Sequence, residues 1–267
     1  MSCGAVALHV ESFGDGDTIV LAHGFGGSAR NFRPQARSLG GEHRFVLFDA
    51  RGHARSEAPA PAEAYEPDCF VEDLARVVDG TGPLPVVVGG LSMGAGVALR
   101  YALAHAERLR GLVLAAFPYV SVGKDGRDWA LGFADAIDRE GLDRAGAEYA
   151  WGERARFDPQ GARLIRQGFL EHSPGALAHT LRRLLAVQPS IESLRAELAR
   201  LTVPTLVIVG ALDERSLVPS RELAGALPEV ELVVVPGAGH VVNLAAPRAF
   251  DAALAAFLDR VRSSQPR

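Results

Sequence analysis

The sequence predicts an α/β fold, with a mostly parallel, doubly wound sheet and an inserted helical unit. Six short apolar runs recur along the chain, and each is continuous rather than alternating, the pattern of strands covered on both faces. Segments with helical spacing lie between them, as in a sheet built by strand–helix–strand crossovers. One interval breaks the alternation with helices alone, and roughly 80 residues are too many for a plain connection.

In chain order, "VALHVESFGDGD" (6–17) reads as one or two antiparallel edge strands closing on a Gly/Asp turn. The six runs follow: "TIVLAHG" (18–24), "RFVLFDA" (44–50), "PVVVGG" (85–90), "GLVLAAF" (111–117), "TLVIVG" (205–210) and "ELVVVPG" (231–237). Helical spacing marks the segments around 68–79, 93–108, 218–227 and 246–262. The core is therefore expected over 1–117 and 201–267, with a helical cap over 118–200. Pro159, Pro174 and Pro189 punctuate the cap, and "DWALGFADAIDRE", "PGALAHTLRRLLAV" and "SIESLRAELARL" are its expected helices. Both tryptophans, Trp129 and Trp151, fall there with Phe133, Phe157 and Phe169. Such side chains are expected to pack the cap onto the sheet, with some facing a substrate. The terminal "SSQPR" reads as disordered.

With 48% apolar residues, the 267-residue chain can bury a substantial core as one large domain with an insertion. Its net charge is −4 and its 28 Lys and Arg residues are scattered, so no basic stripe offers itself to nucleic acid. The start, "MSCGAVALHVESFG", lacks a basic, continuously apolar leader, and no stretch reaches the roughly 18 apolar residues of a membrane span. A cytoplasmic protein without a membrane partner is expected. Cys3 and Cys69 fit no metal-ligand spacing and are expected as two free thiols, with no metal site.

"VVVGGLSMGAGVAL" (86–99) carries Gly90-x-Ser92-x-Gly94 at the junction of an apolar run and a helix. The motif alone is weak, since roughly one chain in six of this composition would hold it by chance. Its placement is informative, because a serine on a tight strand-to-helix turn needs small neighbours on both sides. A phosphate cradle would want a Lys after the glycines, or G-x-G-x-x-G after a first strand, and neither is present. A serine nucleophile needs a base and a group to orient that base. His240 ends the loop "PGAGH" after the last run, and Asp213 stands three residues past "TLVIVG", with Glu214 next door as the alternative acid. The order Ser92, Asp213, His240 is that of nucleophile, acid and base on a strand–turn–helix elbow. In "LAHGFGGSARNF" the glycines let the backbone turn outward, so the N–H groups of Phe25 and Met93 are the candidate oxyanion hole. His23 is then structural and Phe25 a wall of the acyl pocket.

"HGFGG" (23–27), "FDARGHARS" (48–56), "GLSMGAG" (90–96), "LDERSLVP" (212–219) and "PGAGH" (236–240) together resemble the α/β-hydrolase superfamily, in its cap-bearing small-molecule branch. The resemblance spans essentially the whole chain and tightens at these segments. It implies Ser92 as nucleophile, Asp213 as acid, His240 as base and the Phe25 and Met93 amides as oxyanion hole, and makes the loop of Asp49, Arg51 and His53 a structural turn. Haloalkane dehalogenases and epoxide hydrolases place an aspartate where this chain has Ser92. Carbon–carbon bond hydrolases usually carry Asn where this chain has Leu91. What remains most similar is the carboxylesterase, lactonase and enol-lactonase group (3-oxoadipate enol-lactonase-like), with cofactor-free perhydrolases as near relatives.

The expected reaction is acyl transfer through Ser92 on a small, largely apolar ester or lactone, without metal or organic cofactor. Phe25, Trp129 and Trp151 are the expected pocket side chains, and the cap arginines Arg127 and Arg154 are candidates to meet a carboxylate. Carbon–carbon bond hydrolysis, perhydrolysis, and a ligand sensor that keeps an intact triad are the alternatives, and homodimerisation is left open.

Overall fold

The edge segment becomes β1 (Val10–Phe13), and the six continuous apolar runs become β2 (Asp17–Ala22), β3 (His43–Phe48), β4 (Val86–Leu91), β5 (Leu109–Ala115), β6 (Thr205–Gly210) and β7 (Val230–Val235). They come from a computed structural model that describes residues 3–118, 124–151 and 165–263. The strands form one sheet in the order β1-β3-β2-β4-β5-β6-β7. All neighbours are parallel except β1, which runs antiparallel to β3 from Val10 opposite Phe48 to Phe13 opposite Phe45. The edge is thus one strand, and its partner is β3 rather than the β2 that follows it.

Helices cover both faces. On one, Phe32 and Ala36 beside and within α1 (Arg33–Leu39) join Phe250, Leu254 and Phe257 of α8 (Pro247–Ser263) over Ile19, Phe45 and Leu206. On the other, α2 (Pro67–Asp79), α3 (Met93–Ala104) and α7 (Glu214–Ala226) bury Phe70, Leu74, Ala98 and Leu223 against Val20, Val46 and Val88. Each large side chain buried this way stabilises the fold by about 1.5–3 kcal/mol. Strands buried on both faces leave no room for polar alternation, so the runs read as unbroken.

Between β5 and β6 lie α4 (Lys124–Gly146), α5 (Pro174–Thr180) and α6 (Ile191–Leu198), and no strand among the described residues. Gly141 breaks α4 with φ 78° and ψ 175°. Phe133, Ile137, Leu142, Phe169, Leu177 and Leu181 make a core of their own here. By contrast α6 sends Ile191 and Leu198 into the α2–α3 side of the sheet core. The last helix of the insertion therefore packs with the sheet layer, because its apolar stripe faces α7 rather than α4. Phe157, Pro159, Arg154 and residues 264–267 lie outside the described residues.

The expectation of two free thiols is corrected: Cys3 and Cys69 form a disulfide, with Cα atoms 5.2 Å apart. Hydrogen bonds from Asp49 N–H to His9 O and from Glu57 N–H to Ala7 O lay the N-terminal segment along the β3 side of the sheet. The segment thus reaches α2, a juxtaposition that cysteine spacing does not encode. Among the described residues no helix is long and apolar enough to cross a membrane.

Candidate active site

The site gathers at the C-terminal ends of the parallel strands, where an open α/β sheet leaves its crevice. Ser92 follows β4 and caps α3 with φ 53° and ψ −113°, a left-handed conformation costing of order 1–3 kcal/mol that the surroundings must enforce. Its N–H donates to Ala115 O at 2.8 Å and its carbonyl accepts from Gly96 N–H at 3.0 Å, pinning both sides of the turn. Gly94 is required by a close approach, since a Cβ there would stand 2.1 Å from Ala22 O. The short side chains of the motif therefore let α3 start directly against β2.

Asp213 caps the N-terminus of α7 just beyond β6, with its Oδ1 accepting from Ser216 N–H at 3.4 Å. His240 lies on the loop after β7 and its Nδ1 is 2.7 Å from Asp213 Oδ2. With that nitrogen donating to the carboxylate, Nε2 is left as the basic position. Asp213 is buried, which pushes its carboxyl up, yet the facing His240 and the hydrogen bonds from Ser216 outweigh burial and hold it below the usual carboxylate range. The acid thus stays ionised beside the imidazole. Ser216 Oγ stands 3.4 Å from His240 Nδ1. The only mark Ser216 carries in the sequence is the Asp-x-x-Ser spacing of a helix start.

Ser92, Ser216 and His240 line one cavity of about 200 Å³. Its core side includes Phe25 and Leu91, and its roof comes from Trp129 and Phe133 of α4. Phe25 sits in the loop after β2, held from both sides. Its ring meets Phe133 and Phe169 edge-on at 5.9 Å, and His53 at 6.0 Å. Gly26 has φ 66° and a Cβ on it would fall 2.2 Å from the Phe169 ring, so only glycine lets the insertion close on this loop. His172 Nε2 lies 3.0 Å from Gly27 O and ties the insertion to the same loop. Among the described residues the Phe25 N–H makes no hydrogen bond within the protein. The Met93 N–H opens α3, where the first four amides lack intrahelical acceptors.

Beneath this loop three imidazoles pack together, His53 lying 5.1 Å from His23 and 5.2 Å from His172. His23 Nε2 accepts from Ala50 N–H at 2.9 Å, so Nδ1 carries the proton that it donates to Gly24 O at 2.7 Å. Burial pushes the His23 pKa down to about 4, against the pull of the Gly24 carbonyl. Burial and the two neighbouring imidazoles hold His53 well below the usual range as well. Asp49 accepts from Ala29 N–H at 2.7 Å and Arg51 forms a buried two-point pair with Asp73. These residues brace the loops and do not line the cavity.

Of the expected pocket residues, Phe25 and Trp129 line the cavity. Trp151 is not among the described lining residues of this cavity; it lies over Gly146 and meets Phe169 edge-on at 5.3 Å, packed against the insertion's own core. Arg127 lines the cavity, as does Arg215, which carried no signal beyond its place two residues after Asp213.

Comparison with known proteins agrees with this fold. The profile of the alpha/beta hydrolase family matches residues 19–253. The chain is 30% identical over 257 residues to a putative 2-succinyl-6-hydroxy-2,4-cyclohexadiene-1-carboxylate synthase of Bacillus subtilis (strain 168), covering 92% of this chain and 91% of that protein. It is 29% identical over 264 residues to a putative carbamate hydrolase of Caulobacter sp. (strain K31), covering 94% of each. Among solved structures, a thermophilic esterase from Thermogutta terrifontis superposes with a TM-score of 0.84 at 27% identity, over 96% of this chain and 94% of that one.

Proposed function

As the chain belongs to the alpha/beta hydrolase family, we propose that it is a serine hydrolase cleaving a carboxylic ester or lactone of a small substrate, with the insertion serving as cap. The observation that carries this reading is the 2.7 Å contact of His240 with Asp213, on the same cavity as the strained Ser92. His240 Nε2 takes the hydroxyl proton as Ser92 Oγ attacks the carbonyl carbon. The resulting oxyanion is held by the Phe25 and Met93 amides. Collapse breaks the bond to the leaving alcohol, which receives the proton from His240. Water then attacks the acyl-enzyme with His240 again as base, releasing the acid and restoring Ser92. Asp213 keeps the imidazole in the productive tautomer throughout.

The relatives' names cover an ester, a carbamate and a cyclohexadiene carboxylate, so the acyl group is a matter for the cavity walls rather than for the family. Ser92→Ala tests the reading on 4-nitrophenyl butyrate. Loss of turnover by at least three orders of magnitude is expected, with unchanged far-UV circular dichroism. Retained turnover in a folded variant refutes Ser92 as nucleophile.

A further inference from the structure

We propose that Asn243 and Gln35 are positioning residues for His240: their buried amides clasp the loop of the base to the loop of the candidate oxyanion hole and fix the spacing between them. This rests on the serine-hydrolase reading above. The base is carried by "PGAGH" (236–240), a loop with two glycines, of which Gly237 has φ 70°. Such a stretch has little stiffness of its own. What fixes His240 must therefore come from its neighbours.

Two anchors flank it. Upstream, the Leu212 N–H donates to Ala238 O at 2.9 Å, which joins the loop of the base to that of Asp213. Downstream, Asn243 lies in the helical turn Val242–Ala245, three residues past His240, and is fully buried. Its Nδ2 donates to Asn31 O at 2.8 Å and to Gln35 Oε1 at 3.3 Å, and its own carbonyl accepts from Gln35 Nε2 at 3.0 Å. Gln35, on α1 and equally buried, also donates from Nε2 to Asp251 Oδ1 at 3.0 Å. The upstream anchor is backbone alone, whereas the downstream one is encoded by side chains.

The far end of the clasp is the oxyanion side. Gly27 N–H donates to Gly24 O at 3.0 Å, Asn31 N–H to Ser28 O at 3.0 Å, and Asn31 Oδ1 accepts from Ser28 N–H at 2.7 Å. Residues 24–31 are thus one closed turn, and that turn carries the Phe25 amide. It is tight as well, since a Cβ on Gly27 would stand 2.5 Å from Asn31 Oδ1. Asn31 and His240 both line the cavity. Moving Asn243 relative to Asn31 therefore moves the base relative to the oxyanion donor, with the substrate between them.

The clasp admits one arrangement. Asn31 O can only accept, so Asn243 must turn its NH2 towards it, and Gln35 must then offer oxygen to Asn243 Nδ2 and nitrogen to Asn243 O. Turning either amide over sets acceptor against acceptor. A buried network whose donors and acceptors match in a single way fixes geometry as well as adding stability. Apolar side chains of similar size would fill the same space without fixing that spacing.

The test measures kcat and KM for 4-nitrophenyl butyrate in Asn243→Ala, Gln35→Met and the double variant, with urea unfolding as the check on folding. Base and oxyanion donor serve acylation and deacylation alike, so displacing one from the other slows both steps and leaves KM nearly fixed. In Asn243→Ala kcat should fall by about tenfold to a hundredfold, the scale of a misplacement of about 1 Å. Gln35→Met should lose less, because Asn243 keeps its bond to Asn31. The double variant should lose no more than the worse single, since one clasp opens only once.

Propyl trifluoromethyl ketone gives a readout of the positioned site itself. Ser92 Oγ bonds to its carbonyl carbon, the hydroxyl proton passes to His240 Nε2, and the carbonyl oxygen becomes the held oxyanion. Its inhibition constant should rise by the factor by which kcat/KM falls, while inhibition by butyrate stays unchanged. Wild-type kcat in the folded variants, losses that multiply in the double variant, or a loss confined to KM overturns the proposal. So does an inhibition constant that stays put while kcat falls. If neither single variant folds, the amides are braces of the fold and the proposal fails. If turnover depends on Ser92 but on neither amide, this inference alone fails; if turnover survives Ser92→Ala, the hydrolase reading fails.

Discussion

Reducing the Cys3–Cys69 disulfide is expected to remove about 4 kcal/mol of stability. The bond closes a loop of 66 residues, and the chain-entropy relation gives about 4 kcal/mol at 25 °C for a loop of that size. The loop contains β1, β2, α1 and β3, so the unlinked denatured chain gains freedom over a quarter of the fold. For a chain of this length that is a fall in Tm of roughly 10 °C. Cys3→Ser is the cleaner perturbation, because Cys3 is half-buried whereas Cys69 is 2% exposed. Urea unfolding of wild type with and without reductant, and of Cys3→Ser, gives the free energies. Reductant should weaken wild type and leave Cys3→Ser nearly unchanged. A difference below about 1 kcal/mol, or two titratable thiols in the unfolded but unreduced protein, refutes the link.

Asp213→Asn preserves the shape of the α7 cap but deprives His240 of its anionic partner, and turnover of 4-nitrophenyl butyrate should fall by about three to four orders of magnitude. A loss under tenfold in stopped-assay kinetics would assign the orienting role elsewhere. His23 predicts an acid limit on stability. Its pKa falls from an ordinary 6.5 to about 4 on folding, so between those values the unfolded chain binds a proton that the native chain does not. Stability is fully present above pH 6.5 and is lost as pH falls toward 4, by about 3 kcal/mol for this group. Denaturant titrations at pH 7 and 4.5 should show a smaller loss in His23→Gln than in wild type, and equal losses would disprove the linkage.

The features legible in the sequence share a local cause. Strands buried on both faces read as unbroken apolar runs, and the elbow shows because Gly94 must admit the Ala22 carbonyl wherever such a turn is built. Asp213 and His240 could be found because chain order and strand ends carry them. What could not be read depends on contacts between distant segments. The pairing of β1 with β3 and the Cys3–Cys69 bond follow from how the N-terminal segment is laid along the sheet. Trp129 and Trp151 have the same composition-level signal, and their different places, one lining the cavity and one over Gly146, depend on how the insertion folds. Arg215 looks like any surface arginine until Trp129 is placed across from it.

This division separates chemistry from selectivity. Ser92, Asp213 and His240 are presented by loops at the ends of β4, β6 and β7, so their geometry is tied to the sheet register. Trp129, Phe133 and Arg127 belong to α4, which the sheet does not fix directly. Changes in α4 can therefore re-line the cavity while the His240–Asp213 contact stays intact. One constraint limits that freedom: the insertion touches the candidate oxyanion loop through Phe169 on Gly26 and His172 on Gly27. Replacements on α4 should alter which acyl group is accepted, whereas replacements at Phe169 or His172 should move the Phe25 amide and slow all substrates together.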